Sequence, residues 1–222
     1  MGTLYLVRHG QASFGAADYD QLSELGHQQC VRLGEYFRSR GLVFDAALRG
    51  SLRRQVQSLD AIVQGLAIPL AHTEWPGLNE YDSHAVIAAV HTEPLAAPQT
   101  PEAYRHHFRL LRQGLAAWMS GGTAPQGMPS YRDFVRGIAD ALDHVRRTHE
   151  GKVLMVSSGG PISTALTHIL GAAPQVSIDL NMRIRNSAVT EFAFTPKRHM
   201  LHSFNQLPHL DAPEWAHAVT YT

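Results

Sequence analysis

Three short segments of this 222-residue chain carry residues whose types and spacing suit chemistry on a phosphate group. Arg8-His9-Gly10 follows the apolar run Leu4–Val7. Arg49-Gly50-Ser51-Leu52-Arg53-Arg54 follows a second apolar run, and Ser157-Ser158-Gly159-Gly160 ends a third. A neutral imidazole is a nucleophile at ordinary pH, and a guanidinium presents a planar, permanently charged fork to two oxygens. The free N–H groups at a helix start favour an anion. Gathered on one edge, these parts frame a pocket of phosphate size with a nucleophile in it. Singly they are weak signals, since Arg-His-Gly occurs by chance and arginines at helix starts are commonly solvated.

The segments meet only if the apolar runs are neighbouring strands, because ligands in open α/β sheets bind beyond the carboxyl ends of the strands. The chain reads that way. After the strand Leu4–Val7, Ser23 caps a helix with Leu25, Gln29, Leu33 and Phe37 at helical spacing, stopping near Gly41. Val43–Leu48 reads as a second strand. Leu52, Val56, Leu59, Val63 and Leu66 then predict a helix closed by Pro69, with a brief strand around Leu70. From Thr73 to Ser130 six prolines break the rhythm and predict an excursion from the sheet. Within it Thr100-Pro101-Glu102 starts a helix whose Tyr104, Phe108, Leu111, Leu115 and Trp118 form an apolar stripe. Ser130 caps a helix burying Phe134, Ile138, Leu142 and Val145. Val153–Ser157 is a strand buried on both faces, and Gly159-Gly160-Pro161 turns it into a helix ending near Leu170. Ala188–Phe194 and Met200–Phe204 are late strands. The expectation is an α/β three-layer sandwich, a mostly parallel central sheet with helices on both faces. It forms one domain over 1–222, with a cap-like insert around 73–130.

Composition narrows the function. Nineteen basic residues balance nineteen acidic ones, and no basic tract offers a reason to bind nucleic acid. No apolar run approaches the ~20 residues of a membrane span, and the N-terminus lacks the pattern of a signal peptide, so a soluble cytoplasmic protein is expected. Cys30 is the single cysteine, which excludes an internal disulfide and a cysteine-based zinc cluster. Fourteen histidines stand out, yet there is no His-Glu-x-x-His, and the adjacent His106 and His107 point about 100° apart on a helix. Neither a metal nor a cofactor is expected. The sequence leaves the oligomeric state open, a homodimer included.

The ordered motifs Leu6-Val7-Arg8-His9-Gly10, Leu22-Ser23-Glu24-Leu25-Gly26, Leu52-Arg53-Arg54, Leu78-Asn79-Glu80 and Val156-Ser157-Ser158-Gly159-Gly160-Pro161-Ile162 resemble the histidine phosphatase superfamily, the phosphoglycerate-mutase-like clan. The resemblance covers at least Leu4 to about Leu170. It implies that His9 is the nucleophile that becomes a phosphohistidine, and that Arg8 and Arg54 hold the phosphate oxygens. Arg53 is the neighbour that competes with Arg54, but an arginine followed four residues later by a small hydroxyl fits Arg54 and Ser58. Glu80 matches the acid that protonates the leaving oxygen, with Asp82 the competing carboxylate. Gly159 matches the helix start behind the phosphate.

The departures bear on activity. Where the family places a second histidine, just before Gly159, this chain has Ser158, which donates one hydrogen bond but carries no charge. His84, four residues beyond Glu80, is a distant candidate to replace it. The loop after Gly10 carries Gln11, Ala12 and Gly15 in place of more polar residues, with Ser13 as a compensating phosphate ligand. The leading reading is a metal-independent phosphomonoester hydrolase working through a phosphohistidine on His9 and weakened by Ser158. A second is an impaired relative that binds a phosphorylated small molecule or phosphoprotein, and a phosphoglycerate mutase ranks last. A nucleophilic Ser158 is disfavoured, because a hydrolase elbow needs glycine where Val156 stands. Tyr81, Tyr104, Phe108 and Trp118 in the insert would suit a ligand with an apolar portion.

Overall fold

A computed structural model describes residues 1–13, 20–93, 95 and 98–221. The apolar runs form six strands: β1 (Gly2–Arg8), β2 (Ala46–Arg49), β3 (His72–Glu74), β4 (Lys152–Ser157), β5 (Val189–Thr195) and β6 (Arg198–Gln206). They make one sheet in the order β3-β2-β4-β1-β5-β6. The first four neighbours run parallel, while β5 and β6 are antiparallel additions at the β1 edge. Parallel register places Arg8 opposite Ser157 and Arg49 opposite Val156. All three chemistry-bearing segments therefore leave the sheet at the same carboxyl edge.

Because side chains alternate along a strand, β1 and β4 feed two cores. Leu4, Leu6, Val153 and Met155 face one side, with α4 (Pro101–Met119), α5 (Tyr131–Thr148) and α6 (Gly159–Leu170). Tyr5, Val7, Leu154 and Val156 face the other, with α1 (Glu24–Ser39) and α2 (Arg53–Leu66). Tyr5, Phe37 and Phe44 close that second core edge to face, with ring centroids 5.2–5.7 Å apart. α1 and α2 meet at glycines: a Cβ on Gly34 would lie 2.1 Å from the Ile62 carbonyl oxygen, and one on Gly65 2.0 Å from that of Val31. This is the expected three-layer arrangement. Ser23, Thr100 and Ser130 cap α1, α4 and α5 as their side chains predict.

Several local expectations shift. The second strand begins at Ala46, and Val43 is exposed because the chain is still turning there. The third strand lies at His72–Glu74, past Leu70. The buried face of α2 is Arg54, Gln55, Ser58, Leu59, Ile62 and Leu66, so Val56 and Val63 are only partly covered. The stripe was misjudged because polar residues in the first turn are buried for what they bond. On α4, Leu111, Leu115 and Trp118 enter the core, but Tyr104 and Phe108 lie at the surface. Two short helices were not foreseen, α3 (Ser83–Ala88) and α7 (Val176–Asn181). No helix among the described residues is long and apolar enough to cross a membrane.

Candidate active site

His9 is the first residue past β1. Its backbone is held from both sides: the N–H donates to the Ser157 carbonyl at 2.9 Å, and the carbonyl accepts from Ser187 N–H at 3.2 Å and from Asn186 Nδ2 at 3.4 Å. The ring is almost wholly buried, with Nδ1 2.7 Å from the Gly10 carbonyl oxygen. A carbonyl only accepts, so Nδ1 carries the proton and Nε2 keeps its lone pair. That lone pair receives Arg54 Nε at 3.2 Å. Burial, then the positive charges of Arg8 and Arg54, hold the His9 pKa well below the usual histidine value. The imidazole is therefore neutral across the physiological range.

The loop after His9 is locked to α1 and α2. Gly10 N–H donates to Ser58 Oγ at 3.0 Å, and Ser58 donates back to the Arg54 carbonyl at 2.6 Å. A Cβ on Gly10 would lie 2.3 Å from the Gly26 carbonyl oxygen, so only glycine allows this approach. Gln11 N–H donates to Gln29 Oε1, and Ser13 N–H to the Gln21 carbonyl. Gly15 lies outside the described residues.

Arg54 lies in the first turn of α2 and is buried, with Nη1 2.6 Å from Asp20 Oδ1. Its neighbour Arg53 is exposed. Arg8 donates through Nη1 to the carbonyls of Ile184 and Tyr221, the latter at 2.8 Å. Arg8 Nε lies 3.8 Å from the point a Gly159 Cβ would occupy, which brings this guanidinium to the start of α6. Glu80 meets the same helix start: Oε2 accepts from Gly160 N–H at 3.0 Å and Oε1 from Tyr81 N–H at 3.2 Å. Burial raises its pKa above the ordinary carboxylate value, and these N–H groups and the two arginines pull the other way without cancelling it. Ser158, fully buried, precedes α6, and its Oγ accepts from Gln55 Nε2 at 2.9 Å.

The chain folding thus brings His9, Arg8, Arg54, Glu80, Ser158 and Gly159 to one edge. Ser13 sits on the loop leaving that edge, placed by its backbone. Asp82 goes elsewhere, capping α3 by accepting from His84 and Ala85 N–H, and the His84 ring faces solvent. Of the four aromatics, Tyr81 adjoins Glu80, whose Oε1 accepts from its N–H, and its hydroxyl accepts from Asn181 Nδ2 at 2.8 Å. Trp118 is core, packed on Tyr131 and Phe134. Sequence reasoning missed Asp20, Gln55, Asn181 and Asn186. Gln55 had a signal, as a polar residue on the face of α2 that adjoins Ser58. Asn181 had none, since nothing marked α7.

The chain belongs to the histidine phosphatase superfamily (branch 1), whose family model matches residues 4–207. A 2,3-bisphosphoglycerate-dependent phosphoglycerate mutase from Chelativorans sp. (strain BNC1) is 36% identical over 88 residues. That match spans 36% of this chain and 43% of the mutase, less than half the length of the relative. The fold is similar to that of a phosphoserine phosphatase from Entamoeba histolytica, solved in complex with phosphoserine. The TM-score is 0.65 at 20% identity, covering 95% of this chain and all of the other. A phosphoglycerate mutase from Bacillus anthracis str. Sterne gives a TM-score of 0.63 at 17% identity, covering 94% of each chain.

Proposed function

We propose that this protein hydrolyses a small phosphomonoester in two steps through a phosphohistidine on His9, without a metal. The observation that carries the reading is the state of His9: neutral, with Nδ1 tied to the Gly10 carbonyl and the Nε2 lone pair facing Arg54. A phosphoryl group entering between Nε2 and Arg54 takes the guanidinium for its own oxygens and leaves the lone pair free to attack. The N–P bond forms as the bond from phosphorus to the ester oxygen breaks, and protonated Glu80 gives its proton to the departing alkoxide. Water then attacks the phosphohistidine, Glu80 takes a proton from it, and inorganic phosphate leaves with His9 neutral again. Arg8 and Arg54, with the N–H groups at the start of α6, balance the charge on the equatorial oxygens. Asp82 is occupied in capping α3, which favours Glu80 as the acid.

A second reading, a phosphate-binding protein that turns over slowly or not at all, is favoured by the Asp20 carboxylate on Arg54, which competes with an incoming phosphate, and by the neutral Ser158. One experiment separates the two: hydrolysis of an aryl phosphate by wild type and His9→Ala, with chelator present. Turnover lost in the variant supports the phosphohistidine enzyme. Equal background rates, with saturable phosphate binding, support the second reading.

A further inference from the structure

The first turn of α2 supplies a second group beside Arg54. Gln55 is completely buried, and its Nε2 donates to two acceptors, the Leu78 carbonyl at 3.0 Å and Ser158 Oγ at 2.9 Å. The Leu78 carbonyl has no proton to give, so the amide cannot be turned round: its NH2 end must face Leu78, and with it Ser158. Ser158 Oγ is therefore an acceptor towards Gln55, and its own proton is directed to something else. It does not serve the helix it begins. Serine at an N-cap ordinarily accepts from the first-turn N–H groups, yet Ser158 makes no such bond to α6. Of those groups, Gly160 N–H is held by Glu80 and Pro161 has no N–H to give, so the hydroxyl has no partner in its own helix. The chain also makes room for the amide. A Cβ on Gly50 would lie 1.9 Å from Gln55 Oε1, so this glycine leaves the side chain its place.

We propose that Gln55 is a positioning residue which fixes the Ser158 hydroxyl as a hydrogen-bond donor to the transferring phosphoryl group. The neutral Gln55–Ser158 pair takes the place of a charged side chain at this wall of the pocket. The inference rests on the phosphohistidine reading above and adds to it the residue through which Ser158 acts. A donor held in one direction costs no reorganisation when charge builds on the phosphoryl oxygens, whereas a freely rotating hydroxyl does.

The test is a double-mutant cycle on aryl phosphate hydrolysis with Ser158→Ala, Gln55→Leu and the pair, with His9→Ala alongside. Orthovanadate and inorganic phosphate affinities are measured calorimetrically on the same proteins. Ser158→Ala is expected to lower kcat about 10- to 100-fold, less than the 10²–10³ of a full oxyanion-hole donor. Gln55→Leu should lower kcat by a similar factor with KM little changed, and the double variant should be no slower than Ser158→Ala alone. Vanadate, which adopts the geometry of the transition state, should lose more affinity than phosphate in all three. Losses that multiply in the double variant, or a vanadate affinity unchanged in Gln55→Leu, would overturn the proposal for Gln55 and leave the phosphohistidine reading intact. Should His9→Ala hydrolyse as fast as wild type, that reading falls and Gln55 with it.

Discussion

At the scale of single residues, two shifted pKa values set an expected pH profile. His9 must be neutral to attack, and its pKa is held below the usual histidine value, so the acid limb of kcat/KM should lie below pH 6.5. Glu80 must be protonated to release a poor leaving group, and its raised pKa keeps that form populated above the ordinary carboxylate range. For an alkyl phosphate, activity should therefore fall as pH rises through the Glu80 pKa. For an aryl phosphate with an acidic phenol, which leaves unaided, that limb should be weak or missing. Glu80→Gln should cost the alkyl ester about 10²- to 10⁴-fold in kcat and the activated aryl ester far less. Parallel pH–rate profiles on the two substrates check both expectations. Equal losses on both would remove Glu80 as the proton donor.

At the scale of elements, the support for the site depends on how closely α1 and α2 approach. α2 carries Arg54, Gln55 and Ser58, and α1 carries Gln29, so a change in their spacing reaches the loop after His9. Gly34→Ala places a methyl 2.1 Å from the Ile62 carbonyl oxygen, where backbone must shift. The expected cost is ~1–3 kcal/mol of stability, read from a urea midpoint, together with reduced activity in the protein that remains folded. Gly41→Ala tests a different physics. Gly41 has φ +63° and open space around it, so the cost there is backbone strain alone, about 1 kcal/mol, and activity should be unaffected. The long elements were legible in the sequence because their apolar period and caps are local: α1, α5, β1 and β4 lie where Leu33, Ser130, Leu6 and Val153 put them. The meeting of the segments that carry Arg8, His9 and Arg54 followed from one rule, that ligands gather at the carboxyl ends of strands. Glu80, by contrast, was legible only through the family resemblance. Asp20 and Asn186 were not legible, because each acts on a residue at least 34 positions away and nothing local marks it, while for Gln55 the face of α2 was marked but the partner Ser158 was not. Tyr104 and Phe108 share the apolar period of α4 yet lie at the surface, because a period does not say which turns of a helix its neighbours cover.

At the scale of the whole molecule, stability should depend on pH through a buried imidazole linked to His9 by way of Ser187. His209 shares a hydrogen bond of 2.8 Å with Ser187, whose backbone N–H holds the His9 carbonyl, and burial lowers its pKa to about 3. A histidine depressed on folding contributes fully above its unfolded value near 6.5 and loses that contribution as pH falls towards 3. The slope is at most about 1.4 kcal/mol per pH unit for this one group, and His9 adds in the same direction. Urea unfolding at pH 7 and pH 5 should show the fall, and His209→Gln should reduce the difference between them. An unchanged difference would assign the acid sensitivity to other groups. The sheet order has a further consequence. β1 lies between β4 and β5, so it waits for partners more than 140 residues later in the chain. The seam beside it is sewn by the last described residues: Tyr221 takes Arg8, Thr220 bridges Asn186 and Gln29, and Ala218 takes Gln29 as well. During synthesis Arg8 leaves the ribosome 213 residues ahead of Tyr221, one of the stitches that hold this seam. A nascent chain cut off before Ala218 would thus carry every motif of the site without these stitches, and a ribosome paused there should show activity only once residues 218–221 have been added.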